Sequence, residues 1–251
     1  MPLQGVIFDM GGTLVHYTPP GQTWEEVERR GALSVYNYLL EQKHTLPAQT
    51  EAIDLAWNYA RSLWSSLDQY DVKDLKLDLQ LRLLAQQWGI SEISPEVSEA
   101  LALAYMAELQ AEVIPLEGVA ETLQALDDRG LKLGLVSNTM WPGAHHLQDL
   151  ERYNLTGYFD HLLFSADEES WKPNPDVFER SLKALGLQPG EAAFVGDSLY
   201  FDMYGAKQVG MKTIWIEQVQ PWLPEGLDVT PDATIKRLPD LIPIIDAWRE
   251  A

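Results

Sequence analysis

The stretch VIFDMGGTL, residues 6–14, contains a short apolar run that ends in a single carboxylate. The run is β-branched and aromatic and is bounded by turn-forming residues, which is typical of a buried strand. Asp9 therefore lies at the carboxyl end of a predicted strand, and Gly11-Gly12 follows it. Taken alone, an Asp before two glycines is most simply a turn residue that binds local N–H groups. A larger role for Asp9 depends on what the other strand ends carry.

Apolar runs alternate with helical patterns in the second half of the chain. We predict strands at residues 131–137, 161–166, 192–197 and 212–217, and helices at residues 119–128, 177–185 and 202–209. The proline-rich tail after these elements is predicted to run over the surface before a last helix. Alternating strands and helices favour an α/β fold with a doubly wound parallel sheet and helices on both faces.

The segment between the first strand and residue 113 has a different texture. Apolar residues recur there at helical spacing, as in Leu77, Leu81 and Leu84. The segment holds roughly ninety residues, far more than the about two to six of an ordinary βα loop. We therefore predict an α/β core domain made of residues 1–15 and 113–251, interrupted by an all-helical domain of residues 16–112.

Composition restricts the class of protein and its partners. The chain has 251 residues, of which 46% are hydrophobic, enough for a sizeable core. A formal net charge of −20 disfavours nucleic acids and anionic membranes. The absence of cysteine excludes disulfides and thiolate metal sites, and neither a signal peptide nor a membrane-length apolar run is indicated. We expect a cytoplasmic protein with a small-molecule partner; the sequence indicates no oligomeric state.

Polar residues follow four of the predicted strands. They are Asp9, Ser137-Asn138, Lys172, and Asp197 with Asp202 five residues later. Ligands of open α/β sheets collect at the carboxyl ends of the strands. We therefore expect these side chains to converge on one site.

The motifs DMGGT, VSN, WKPNP and GDSLYFD, in this order, resemble those of the haloacid dehalogenase-like hydrolases with a helical C1-type cap. The resemblance spans almost the whole chain, although the cap matches only in length, position and helical texture. It implies a Rossmann-like doubly wound parallel sheet with an inserted all-helical cap domain. It also implies a phosphatase that acts on a small phosphorylated metabolite through an aspartyl-phosphate at Asp9.

The resemblance assigns roles to individual residues. The implied catalytic residues are Asp9 and Lys172; the phosphate-binding residues are Gly12, Thr13, Ser137, Asn138 and Lys172; the Mg²⁺ ligands are Asp9, Asp197, Asp202 and the main-chain carbonyl of Gly11. The chemistry needs these types, because a carboxylate can attack a phosphate only where local positive charge offsets both anions. Mg²⁺ prefers oxygen ligands and bridges to phosphate.

Gly11 departs from the pattern of the resembling phosphatases, which have a second Asp there as proton donor. General acid–base help of this kind is typically worth about 10²- to 10⁴-fold in rate. Three explanations remain open. The leaving group needs no proton, as with acyl or aryl phosphates; His16 or a cap residue replaces the acid; or the protein mainly binds its ligand.

Two other functions remain open on the sequence. A 2-haloacid dehalogenase would suit Gly11, because halide leaves without a proton, but that reaction does not need the metal acids Asp197 and Asp202. A weakly active or non-catalytic phosphate- or nucleotide-binding protein would also tolerate Gly11. The pair His145-His146 is expected to be a helical surface pair rather than a metal site.

Overall fold

The computed structural model describes residues 2–64, 72–168, 170–217 and 222–250. The chain divides into two compact units. One comprises Met1–His16 with Pro115–Ala251, and the other comprises Tyr17–Ile114. Two-residue strands, β2 (Val15–His16) and β3 (Ile114–Pro115), lie where the chain passes from one unit to the other.

The first unit is built on a six-stranded parallel sheet, as the alternation of strands and helices predicts. Its strands are β1 (Gly5–Phe8), β4 (Lys132–Ser137), β5 (His161–Phe164), β6 (Ala192–Gly196), β7 (Lys212–Ile216) and β8 (Ala233–Ile235). Their order in the sheet is β5-β4-β1-β6-β7-β8. Strand β1 is central, with Phe8 opposite Leu135 of β4 on one side and Val195 of β6 on the other. The ends of these three strands therefore lie side by side.

Helices follow the strands of this unit. They are α5 (Val119–Asp127), α6 (Gly143–Arg152), α7 (Pro175–Leu185), α8 (Gly205–Gln208) and α9 (Leu241–Glu250). Helix α7 packs against the sheet, because its buried residues Phe178 and Leu182 share a hydrophobic core with Ile7 and Phe194. All four residues of β1 are buried, which explains its continuous apolar run.

Two elements of this unit differ from the sequence prediction. The helix predicted from Asp202 begins earlier, as a π-helix over Leu199–Tyr204 that continues into α8. Strand β8 lies within the tail that was predicted to run over the surface. It pairs with β7, and Asp232 just before it accepts hydrogen bonds from the main-chain N–H and the hydroxyl of Thr213, at 2.8 and 2.9 Å. That side-chain anchor leaves no periodic signal in the sequence.

The second unit is helical over its described residues. Its α-helices are α1 (Trp24–Glu41), α2 (Gln49–Trp64), α3 (Leu77–Gln87) and α4 (Pro95–Ala111), with a 3₁₀ turn at Val72–Leu75. Thr23 and Glu26 form a capping box at the start of α1, and Ser94 caps α4. Glu28 and Tyr105 form a buried hydrogen-bonded pair between α1 and α4. Burial raises the pKa of Glu28. The hydrogen bond with Tyr105 gives this buried carboxyl group a partner between the two helices.

The helices within the described ranges are all too short or too polar to cross a membrane.

Candidate functional site

Three carboxylates converge at the edge of the sheet formed by the ends of β1 and β6. Asp9 follows β1, Asp197 follows β6, and Asp202 lies in the π-helix. One oxygen of each lies within 4.8 Å of the others. Asp202 is 1% exposed and Asp9 is 7% exposed. Burying like charges this closely is unfavourable unless a cation accompanies them.

Lys172 supplies one such cation. Its ammonium Nζ donates to Asp9 Oδ1 at 2.6 Å and to Asp202 Oδ1 at 2.7 Å, and the residue is 2% exposed. Burial by itself would lower the pKa of Lys172, but the charges of Asp202 and Asp9 and the hydrogen bonds with both raise it to about 12. The lysine is therefore a fixed positive charge beside Asp9.

One ammonium does not balance three carboxylates. Burial, followed by the charges of Asp9 and Asp202, raises the pKa of Asp197 to about 8. Burial likewise raises the pKa of Asp202 to about 6, although Lys172 opposes the shift. The site therefore has an excess of negative charge that a further cation would relieve.

Two glycines make room for these acids. A Cβ on Gly12 would lie 2.3 Å from Asp197 Oδ2, and Gly12 has a φ of +78° that also favours glycine. A Cβ on Gly196 would lie 2.3 Å from Asp202 Oδ2. The backbone thus approaches a group of oxygen donors that any larger residue would disturb. An all-oxygen acidic group suits a hard divalent cation, so these residues could hold a metal ion.

Asp202 has other partners besides a possible metal. Its Oδ1 accepts from Lys172, and its Oδ2 accepts from the main-chain N–H of Ser198 at 2.9 Å. Ser198 in turn caps the π-helix by accepting from the N–H of Phe201. The sequence alone does not indicate this role of Ser198; its place between Asp197 and Asp202 is the signal that points to it.

The residues predicted to bind phosphate lie in the turn after β1 and at the end of the neighbouring strand β4. Ser137 ends β4 and is 6% exposed. Thr13 is fully buried, and its hydroxyl has no hydrogen-bond partner among the described residues. The main-chain N–H groups of Gly12 and Thr13 donate within the turn, to Val15 and Met10. Their hydrogen bonds shape the turn after Asp9 rather than face a ligand.

Asn138 occupies the predicted place after β4, but its side chain has a partner that the sequence did not indicate. Its amide Nδ2 donates to the main-chain oxygen of Lys172 at 2.9 Å, and its Oδ1 accepts from the main-chain N–H of Lys172 at 2.8 Å. The two residues are 34 positions apart in the chain. This contact joins the VSN motif to the WKPNP motif.

The expectation of a surface pair at His145-His146 is wrong for His146, which is 3% exposed. Its ring stacks between Trp141 and Phe164, at centroid distances of 5.0 and 5.3 Å, and its Nε2 lies 2.6 Å from the hydroxyl of Thr139. Burial, and then the charge of His145, lower the pKa of His146 to about 3. A neutral imidazole can be buried where aromatic stacking and hydrogen bonding offset the loss of its hydration. The apolar face that His146 shares with Leu150 on α6 was the available signal.

His16, a possible replacement for the missing acid, is solvent-exposed at the end of β2. The protein around its ring excludes enough water to lower its pKa. A lowered pKa reduces the protonated fraction of the imidazole, which makes His16 a weaker proton donor than an unshifted histidine.

Comparisons with known proteins give one consistent result. Residues 3–210 match the family model described as haloacid dehalogenase-like hydrolase. Glyceraldehyde 3-phosphate phosphatase of Pyrococcus furiosus is 30% identical over 217 residues, which cover 84% of this chain and 80% of the relative. Pyrophosphatase PpaX of Halalkalibacterium halodurans is 31% identical over 161 residues, 62% of this chain and 74% of the relative.

A solved structure supports the same relationship. The HAD phosphatase from Thermococcus onnurineus is 27% identical, with a TM-score of 0.66, over 97% of this chain and 98% of the other. A 2-haloacid dehalogenase from Pseudomonas syringae superposes with a TM-score of 0.67 over 98% and 99% of the two chains, at 23% identity. That likeness shows the shared fold.

Proposed function

Because the chain belongs to the haloacid dehalogenase-like hydrolase family, we propose that it is a phosphatase that acts on a small phosphorylated metabolite. The observation that carries this proposal is the buried ammonium of Lys172, 2.6 Å from Asp9 Oδ1, within a group of three carboxylates. A carboxylate held beside a fixed cation can approach an anionic phosphoryl group. The phosphatase names of the relatives support the same reaction class.

In the proposed reaction an oxygen of Asp9 attacks phosphorus. The bond from phosphorus to the leaving oxygen breaks, and that oxygen departs with the electron pair. A water molecule then attacks the acyl phosphate at Asp9, which releases inorganic phosphate and restores the carboxylate. Lys172 holds Asp9 in place and offsets charge in both steps.

The proposed metal is Mg²⁺, held by Asp9, Asp197 and Asp202 with the main-chain carbonyl of Gly11. When bound, it supplies positive charge to the phosphoryl oxygens. Asp202 completes the acidic group, and its hydrogen bonds with Lys172 and Ser198 give it the further task of fixing the lysine.

The remaining proposed contacts lie at the neighbouring strand ends. The hydroxyls of Ser137 and Thr13 and the main-chain N–H of Asn138 are proposed to donate to the phosphoryl group. Thr13 supports this assignment, because its buried hydroxyl has no partner among the described residues. We propose that residues 16–112 form a cap domain that excludes water and selects the substrate.

The absence of an acid at Gly11 restricts the range of substrates that we expect to be hydrolysed quickly. An alkoxide leaving group needs a proton, and Gly11 offers none. Since the lowered pKa of His16 also weakens it as a donor, we propose that esters or anhydrides with good leaving groups react fastest.

Hydrolysis of a defined panel tests the proposal. The protein is incubated with Mg²⁺ and p-nitrophenyl phosphate, acetyl phosphate, pyrophosphate or glyceraldehyde 3-phosphate, with Asp9→Asn as the matched control. Phosphate release that requires both Asp9 and Mg²⁺ is expected. Phosphate release by D9N at the wild-type rate would overturn the proposal. So would a wild-type protein that hydrolyses none of the four substrates.

The two alternatives give different results in the same experiment. Halide release from a 2-haloacid that survives EDTA would indicate a dehalogenase, which Gly11 alone favours. Tight Mg²⁺-dependent ligand binding with turnover near background would indicate a binding protein.

A further inference from the structure

The side chain of Asn138 forms two hydrogen bonds with the main chain of Lys172. One hydrogen bond goes to its carbonyl and one comes from its N–H, at 2.9 and 2.8 Å. Both hydrogen-bonding groups of the amide are therefore engaged with one residue. The two bonds use one of the two N–H donors and one lone pair of the amide oxygen, and together they fix the orientation of the amide plane against Lys172.

The segment that carries Asn138 is itself fixed. The next residue, Thr139, donates its main-chain N–H to Ser165 Oγ at 2.8 Å, and the same hydroxyl donates back to the main-chain oxygen of Thr139 at 3.1 Å. The Thr139 side chain is held by His146 on α6. Ser165 is 1% exposed and follows β5. The main chain next to Asn138 is thus held against the end of β5, independently of the contact between Asn138 and Lys172.

The lysine side chain needs such an anchor. Lys172 must place one Nζ within 2.6 Å of Asp9 and 2.7 Å of Asp202, and a lysine stem has several rotatable bonds that favour many other positions. Fixing the main chain at one end and the ammonium at the other restricts the stem to one geometry. Displacements of about 1 Å in a reacting site can reduce the rate by about 100-fold.

We propose that Asn138 is a positioning residue for the hydrolytic reaction and acts through the main chain of Lys172 instead of through a side-chain contact with the phosphate. The inference rests on the function proposed above. It assigns the Asn138 side chain a different task from the phosphate binding expected of this motif. The Ser165, Thr139 and His146 contacts hold the segment from which it acts.

The test compares Asn138→Ala with Asn174→Ala. Asn174 is a matched control, because it lies two residues after Lys172 on the same loop and its side chain also binds main chain, accepting from the N–H of Asp176 at 3.1 Å at the start of α7. With p-nitrophenyl phosphate and Mg²⁺, N138A is expected to lower kcat by about 10- to 100-fold with KM within about threefold of wild type. N174A is expected to keep wild-type kcat and KM, although its lost cap lowers the melting temperature.

A second readout does not depend on activity. Hydrogen exchange of the Lys172 amide is measured by NMR after selective isotopic labelling of lysine nitrogens. N138A removes the acceptor of that N–H, so exchange at Lys172 is expected to rise by at least about tenfold, while N174A leaves it unchanged. A merely destabilised protein would raise exchange at the other core lysine amides as well.

The outcomes distinguish the positioning role of Asn138 from the proposed hydrolytic function. A raised KM with unchanged kcat in N138A would show that the side chain binds substrate and would overturn the inference, as would unchanged exchange at Lys172. If wild type shows no Asp9-dependent hydrolysis, the proposed function fails. Faster exchange in N138A would then still establish the contact with Lys172.

Discussion

Replacing Gly11 with Asp tests why this site has a nucleophile but no neighbouring acid. Gly12 could not be used for the same purpose, because its φ is +78° and its Cβ would lie 2.3 Å from Asp197 Oδ2. Gly11 does not have a positive φ, so its backbone admits other residues. The substitution G11D therefore adds a carboxylic acid two residues after Asp9 at a position where a positive φ does not require glycine.

The expected gain depends on the leaving group. A general acid is worth about 10²- to 10⁴-fold, or about 3 to 5 kcal/mol, where the departing oxygen needs a proton. G11D is expected to raise kcat/KM for glyceraldehyde 3-phosphate by at least about 100-fold. For p-nitrophenyl phosphate, whose phenolate leaves unprotonated, the gain is expected to stay below about tenfold. Initial rates with both substrates at saturating Mg²⁺ give the ratio directly.

Gly11→Asn is the matched control, since it has nearly the same size and does not donate a proton as an acid does. G11N is expected to give no gain with either substrate. Equal gains with both substrates would refute the reasoning, because they would show an effect on binding or metal affinity. No gain with the alkyl ester, in a variant that melts like wild type, would refute it as well.

Three further predictions concern stability and the metal. The pKa of His146 is lowered from 6.5 to about 3, so the unfolded state takes up a proton at this residue that the folded state does not, and this contribution to stability is lost as pH falls below 6.5. The raised pKa values of Asp197 and Asp202 act in the opposite direction in wild type and in H146F alike. In urea titrations, the change from pH 7 to pH 5 should therefore be less favourable for wild type than for H146F by about 2 kcal/mol. Equal changes in the two proteins would contradict this. Gly196→Ala, whose Cβ would lie 2.3 Å from Asp202 Oδ2, should cost about 1 to 3 kcal/mol of unfolding free energy and lower phosphate release. The control G157A, at a glycine with open space around it, should do neither, and a G196A variant that matched it would be evidence against the crowding. EDTA should abolish phosphate release and added Mg²⁺ should restore it, whereas activity that persists in EDTA would exclude the proposed metal.

The sequence predicted the sheet because its signals are local. Buried parallel strands are short continuous apolar runs, as in β1, and their alternation with helices indicates the topology. The parallel arrangement then places the strand ends side by side, which is why Asp9 and Asp197 could be expected to meet. The structure brings these two acids together with Lys172 and Asp202.

What the sequence could not predict are contacts that depend on side-chain geometry. Asn138 and Lys172 are 34 residues apart, and their hydrogen bonds follow from the distance between two loops rather than from a pattern. His146 is buried by ring stacking that its residue type does not indicate. Strand β8 has only three residues, too few for alternation to distinguish it from a loop.

The most direct test of the proposed chemistry is to look for the phosphoryl group on Asp9 itself. Wild type and D9N are mixed with Mg²⁺ and p-nitrophenyl phosphate, quenched in acid during turnover, digested, and analysed by mass spectrometry. The predicted result is one added phosphoryl group on the peptide that contains Asp9 in wild type and none in D9N. Rapid phosphate release from wild type with that peptide unmodified at every quench time would contradict the assignment of Asp9 as the nucleophile.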